Sequence, residues 1–377
     1  MSQINTNAIL DASGGTTATV NGYTPTASNM AGRNRIINGD MRVSQRFGAT
    51  STGTISGGAY TLDRWLAIVV GGTANLSAQQ TTTAPTGFYN SLAVTVGTGV
   101  TPAGTDERSM AQKIEGLNVA DLAWGTANAK PVTISFWVRS SVTGTFGFTV
   151  SNAGFNRTLV QSYVINSADT WEHKTITISG DTSGTWLKDN GAGIALYWDL
   201  GVGTTYSGTA SSSWQAAGYE GLTGGTKLSA TTGATFYITG VQLEEGSVAT
   251  PFEHRQYGQE LALCQRYYFK TSGGPTNSAP LGVGFIDSST VAVVSTYFPV
   301  DMRTAPTSLE QSGTAGHYRV RRTGSGVNCS VVPSFFSATS NSAASSFTVA
   351  SGLTAGQACL GGTTTADTGF LAWSAEL

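Results

Sequence analysis

The chain of 377 residues is 40% hydrophobic and only 11% charged, with 48 glycines and a formal net charge of −2. Abundant Gly, Thr and Ser with few Leu or Lys exclude a helical bundle and favour short strands joined by many turns. A balance this close to neutral offers no broad positive surface, which excludes tracking along a phosphate backbone and so a nucleic-acid partner.

At ~150 residues per domain, the length predicts two or three domains. The three cysteines, Cys264, Cys329 and Cys359, are too few and too scattered for a disulfide framework or a zinc site, and read as buried free thiols. Met1–Asn7 lacks the basic start and apolar core of a secretory signal. No apolar run reaches the ~18 residues that would predict membrane insertion.

In chain order, residues 1–32 are small and polar with no periodic apolar face, so they read as an extended arm that orders only against a partner. The stretch that follows holds Arg33, Arg35, Arg42, Arg46, Asp63 and Arg64 in an otherwise charge-poor chain. A second charged cluster carries Glu244, Glu245, Glu253 and Arg255. Arginine's rigid fork of donors suits carboxylates, so the two clusters are expected to face each other at a structural junction. Pairing of Glu244 and Glu245 with the arginines would make Arg35→Ala or Glu245→Ala cost roughly 3–5 kcal/mol, as for a partly buried ion pair.

Between the clusters the pattern is β. Val132, Ile134, Phe136 and Val138 alternate with Thr133, Ser135, Trp137 and Arg139, and Ile194, Leu196, Trp198 and Leu200 alternate likewise. Such period-2 runs broken by Gly, Asn and Asp turns predict a jelly-roll β-sandwich over 33–250, with a short helix near 118–124. Residues 251–271 read as a linker whose helix, 258–268, places Leu261, Cys264 and Tyr268 on one stripe. A smaller β-sandwich follows over 272–377, with strands at 291–300, 317–321, 346–350 and 370–377. The fold class is therefore all-β.

Three strings, RNRIINGDMRVSQR with YTLDRW (33–65), VQLEEGSVATPFEHRQYGQELALCQRYY (241–268) and FPVDMRTAP (298–306), carry a resemblance to bacteriophage tail-fibre and virion structural proteins. The order of strands in 33–250 also resembles the carbohydrate-binding-module type of jelly roll. The resemblance implies a virion component attached through residues 1–32 to other virion proteins, a homotrimer, and binding to host-surface glycan. A capsid-bound head fibre or decoration protein is the alternative, and a polysaccharide-degrading tailspike a third.

Sugars present apolar C–H faces to aromatic rings and hydroxyls to polar groups. Trp186, Tyr197, Asp199, Tyr206, Trp214 and Tyr219 therefore form the candidate glycan site. Tyr197 and Asp199 oppose the core-facing Trp198 in strand phase. Chemistry is not expected: His173, His254 and His317 lie far apart, and no nucleophile, zinc or phosphate-loop motif occurs. The carboxylates available for glycoside hydrolysis would be Asp189 and Asp199, or Glu220 with either. No cofactor is expected; Glu244 and Glu245 supply too few oxygens for structural calcium. Arg319, Arg321 and Arg322 form a local basic spot, either a solvated strand face or a contact for anionic sugars.

Overall fold

A computed structural model describes residues 32–273, 279–323, 325–364 and 369–377. The arm expected over 1–32 lies outside the described residues except for Gly32. The chain divides into two compact units, Met1–Arg42 with Ala49–Arg255, and Val43–Gly48 with Gln256–Leu377.

Among the described residues the first unit contains thirteen strands: β1 (Gly57–Tyr60), β2 (Leu66–Val70), β3 (Leu76–Thr81), β4 (Ser91–Val96), β5 (Glu107–Glu115), β6 (Val132–Ser140) and β7 (Gly144–Ser151), then β8 (Thr158–Ile165), β9 (Glu172–Ile178), β10 (Ala192–Asp199), β11 (Ser207–Gly208), β12 (Gly221–Leu222) and β13 (Thr235–Glu245). They form a six-stranded sheet, β1-β2-β5-β10-β7-β8, and a five-stranded sheet, β3-β4-β13-β6-β9, with β11 and β12 as a separate pair. All pairs within the two large sheets are antiparallel. The result is a β-sandwich of jelly-roll type.

The alternating residues meet where the sheets face each other. Phe136 of β6 lies 5.8 Å from Trp198 of β10 and 5.2 Å from Tyr163 of β8, centroid to centroid. Val132, Ile134, Phe136 and Val138 are fully buried in this core, as are Leu196 and Leu200. Period 2 sends the intervening residues of β10 to the opposite face of its sheet. The helix expected near 118–124 is instead two 3₁₀ turns, Gly116–Asn118 and Ala120–Leu122.

The stretch from Asn34 to Gly39 is stitched to β13. Arg35 N donates to Leu243 O at 2.9 Å, and Val241 N to Gly39 O at 2.9 Å. The buried Asn34 side chain accepts from Ile36 N and Leu243 N and donates to Val241 O. From the other sheet, the Gln112 side chain takes up both backbone groups of Ile37. Gly39 lies so close to Val241 O that a Cβ there would overlap it. The segment thus closes the sandwich, with Ile36 and Met41 fully buried in its core.

The second unit opens with helix α1 (Tyr257–Gln265) and β14 (Tyr268–Ser272). It continues with β15 (Pro280–Ile286), β16 (Val291–Tyr297), β17 (Glu310–Gln311), β18 (Tyr318–Arg322), β19 (Ser325–Asn328), β20 (Ser334–Ala338), β21 (Ser342–Thr348), β22 (Ala358–Thr363) and β23 (Phe370–Ser374). A seven-stranded sheet, β19-β18-β22-β15-β16-β21-β20, packs on the three-stranded sheet β14-β23-β17. Trp373 and Leu371 share their core with Phe347 and Tyr318. The helix ends three residues before the expected stop, because Tyr268 begins β14; it and the strand cluster with the second unit rather than forming a linker. All three cysteines are buried outside any disulfide, and burial pushes the Cys329 thiol up to about 12.

The segment Val43–Gly48 belongs to this second unit. Arg46 lies 3.5 Å over the Tyr268 ring and pairs with Glu310 at 3.1 Å and with Glu376 at 3.7 Å. Gln45 donates to Tyr268 O, and Lys270 donates back to Arg46 O.

Candidate functional site

In the first unit the structure brings the two charged clusters together, through backbone groups more than through charge pairs. Arg33 donates to Pro251 O, Arg42 to Arg255 O, and Arg255 to Asn34 O and Ile36 O. Glu253 accepts from Gly32 N and Asn34 N at 2.7 and 2.8 Å. The expected Glu244 and Glu245 pairs with the arginines do not form. Glu244, buried, is held by Thr250 and Gln242, and Glu245 pairs with Lys130 at 3.1 Å. Arg35 takes Asp121 at 2.6 Å and Arg42 takes Asp40. Arg64 is buried and donates to Lys113 O, while Asp63, fully buried, offers its carbonyl to Asn38. His254 packs against Phe88, tilted, and edge-on to Phe252.

Lys130 and Glu245 are each about two-fifths exposed, 42% and 41%. Glu245→Ala is therefore expected to cost no more than about 1 kcal/mol, as for surface pairs, well below the sequence expectation. A thermal melt of that variant checks it.

The six residues proposed for glycan contact do not form one surface. Tyr197 is buried, on the outer face of its sheet with Leu66, Ala111 and Ala195. Asp199 is fully buried and accepts from Gly201 N, Val202 N and Leu222 N, with Lys227 Nζ at 2.7 Å. It is committed to folding the excursion after β10 and has no lone pair left to offer a ligand. Trp186 and Trp214 form a cluster with Trp124, with centroids 4.7 to 5.3 Å apart. Their indole N–H groups are taken by Ser183 O and Ser179 O. Tyr206 and Tyr219 are half-buried in the excursion, the Tyr219 ring lying on Gly208. Trp214→Ala is expected to cost about 1–2 kcal/mol of stability, less than a fully buried ring, and to leave carbohydrate affinity unchanged. Melting and titration of the same sample check both.

A different constellation appears on the outer face of the six-stranded sheet. β5 reads ERSMAQKIE, and period 2 puts Met110 and Ile114 inward with Glu107, Ser109, Ala111 and Lys113 outward. Register places Tyr197 and Leu66 beside Ala111, Ile68 beside Ser109, Ala195 beside Lys113, and Tyr60 beside Leu66. Phe155, from the turn after β7, packs edge-on to Tyr197 at 6.0 Å. The excursion covers the β7 side of this face, where Gly147 abuts Leu222, and its Glu220 reaches Ser109 Oγ at 3.5 Å. Tyr60, Ile68 and Phe155 remain half-buried, as do Glu107 and Lys113.

The ionisable groups here are perturbed together. Burial, with Glu107 and Asp199 nearby, pushes the Glu220 carboxyl up to about 8, against the Ser109 hydrogen bond and Lys113. Burial raises Glu107 and lowers Lys113, the latter partly offset by Glu220. Burial and the neighbouring carboxylates also raise Tyr197. Clustering of shifted groups beside half-buried rings marks a candidate binding site. Of the hydrolysis candidates, Glu220 belongs to it; Asp189 is an exposed turn residue bonded to Gly191 N. Tyr60, Ile68, Glu107, Lys113 and Phe155 escaped the sequence reading, although the alternation in 107–115 carried the signal for β5.

No protein-family profile matches the sequence, and no curated protein matches it. Among solved structures, the enzymatically active domain of bacteriophage CBA120 tailspike protein 4 is similar at 12% identity and a TM-score of 0.33, covering 56% of this chain. The match spans 21% of the tailspike chain. A putative sugar binding protein from Bacteroides thetaiotaomicron is similar at 11% identity and a TM-score of 0.33, covering 57% of this chain and 100% of that one. A family 11 carbohydrate-binding module of a cellulosomal cellulase from Clostridium thermocellum gives 14% identity and a TM-score of 0.27, covering 54% and 100%.

Proposed function

We propose that the chain is a phage virion fibre component that binds host-surface glycan without turning it over. The observation that carries the binding is the set on the outer face of the six-stranded sheet, where half-buried Tyr60, Ile68 and Phe155 lie beside Glu107, Lys113 and Glu220. Rings and aliphatic groups suit the C–H faces of a sugar, and the desolvated polar groups regain hydrogen bonds from its hydroxyls. The virion assignment rests on the motif strings at 33–65, 241–268 and 298–306. It implies attachment to other virion proteins through residues 1–32 and a homotrimer. Light scattering after gel filtration should then give three times the chain mass.

The test of binding is a carbohydrate array followed by titration of the best neutral oligosaccharide. Tyr60→Ala is expected to weaken binding about tenfold, equivalent to about 1.4 kcal/mol, and, because the ring is half-buried, to cost about 1–2 kcal/mol of stability, so affinities are compared well below both melting temperatures. Equal affinity in that variant would move the site elsewhere.

A second reading has one observation in its favour. Glu220, holding its proton near neutrality beside Glu107, has the makings of a general acid with a carboxylate partner. New reducing ends after incubation with the bound polysaccharide, lost in Glu220→Gln, would establish hydrolysis. An intact polysaccharide leaves binding as the function.

A further inference from the structure

A separate site lies in the second unit and rests on nothing said of the first. Arg319, Arg321 and Arg322 all fall in the five residues of β18. Among the described residues none of the three makes an ion pair, and the Nε atoms of Arg319 and Arg322 are buried without a hydrogen-bond partner. Most other arginines of this chain have found a carboxylate or a carbonyl, as Arg46, Arg108, Arg157 and Arg303 have. Unpartnered guanidinium nitrogens also occur in Arg46 and Arg108, but those side chains have carboxylate partners; β18 holds three cations with no countercharge among the described residues, which an incoming anion would supply.

The arginines border an apolar floor. Register places Arg321 beside Leu360 of β22, and Leu360 beside Val283 of β15, in one row across the sheet. Phe285 and Ala358 form the next row. Val283, Phe285 and Leu360 are exposed at 54%, 52% and 37%, uncommon for residues of this size. Arg321, Arg322, Val283, Leu360 and Cys359 line a cavity of about 440 Å³, within the range of small-ligand pockets. We propose that this cavity binds a sugar residue bearing a carboxylate. The planar guanidinium fork donates two parallel N–H bonds to a carboxylate, and the aliphatic floor meets the C–H face of the ring. A phosphate can take the same fork bidentately, so titration rather than the fork separates the two anions.

The test is calorimetric titration of the full chain at low salt with three probes: trigalacturonic acid, its neutral methyl ester, and glucose 6-phosphate. The acid is expected to bind at least tenfold more tightly than the ester, with affinity falling as salt rises. Arg321→Ala should weaken the acid about tenfold. Arg321→Lys should recover only part of that, because it restores charge without the fork. Arg321 is exposed, so the variants should melt with wild type, and Arg139→Ala serves as a control elsewhere on the chain. Equal binding of acid and ester, unchanged affinity in Arg321→Ala, or no binding at millimolar acid would overturn the proposal. Tighter binding of the phosphate would overturn the carboxylate assignment.

Discussion

Asn34→Ala is expected to lower folding stability by roughly 3–5 kcal/mol, summed over three hydrogen bonds at ~1–3 kcal/mol each with allowance for non-additivity. The side chain bonds Ile36 N within the segment that closes the sandwich, and Leu243 N and Val241 O on β13. Asn34 is buried, so truncation leaves those backbone groups without water to replace it. For a unit of about two hundred residues this is a fall in Tm of about 6–20 °C. Differential scanning calorimetry reads it directly, and a shift within 2 °C would show that the segment is not held as described. Gly39→Ala, which drives a methyl into Val241 O, should act in the same direction at the same seam.

Glu220→Gln is expected to flatten the dependence of stability on pH. Burial, with Glu107 nearby, pushes the folded-state carboxyl up to about 8 from its ordinary value of 4.5. A carboxyl raised in the folded state stabilises fully below the unfolded value, and that contribution is lost as pH rises through the folded value. Wild-type stability should therefore fall between about pH 4.5 and 8, by at most about 1.4 kcal/mol per pH unit. Glu107, raised in the same direction, adds to the lower part of this window. Glutamine keeps the shape and carries no proton to lose, so the variant should match wild type at pH 5 and exceed it at pH 8.5. Parallel melting-temperature profiles would contradict the placement of Glu220 in a desolvated environment.

Much of the fold was legible because alternation is local. Val132 to Val138 and Ile194 to Leu200 read as core faces and are core. The second unit's strands at Val291–Tyr297, Tyr318–Arg322, Ser342–Thr348 and Phe370–Ser374 lie within a few residues of their expected bounds. The site was not legible, for a reason of register. Period 2 correctly turned Tyr197 and Asp199 away from the sandwich core, but it cannot say that an excursion returns to cover that face. Asp199 is the residue that ties the excursion down. The aromatics at 186–219 do not gather as one set: Trp186 and Trp214 meet each other and Trp124, from sixty and more residues earlier, while Tyr197 packs on Phe155. In the charged clusters, contact followed from composition, whereas the choice of partners followed from backbone carbonyls, which a sequence does not display.

The glycan we propose lies on the outer face of the six-stranded sheet, beside Tyr60 and Glu220. Methyl-resolved NMR of the full chain with isoleucine labelled, titrated with the array's best neutral oligosaccharide, tests it most directly. The Ile68 methyl, half-buried on that face, should shift on saturation while the core methyls of Ile134 and Ile194 stay fixed. Binding that leaves Ile68 unmoved would contradict it.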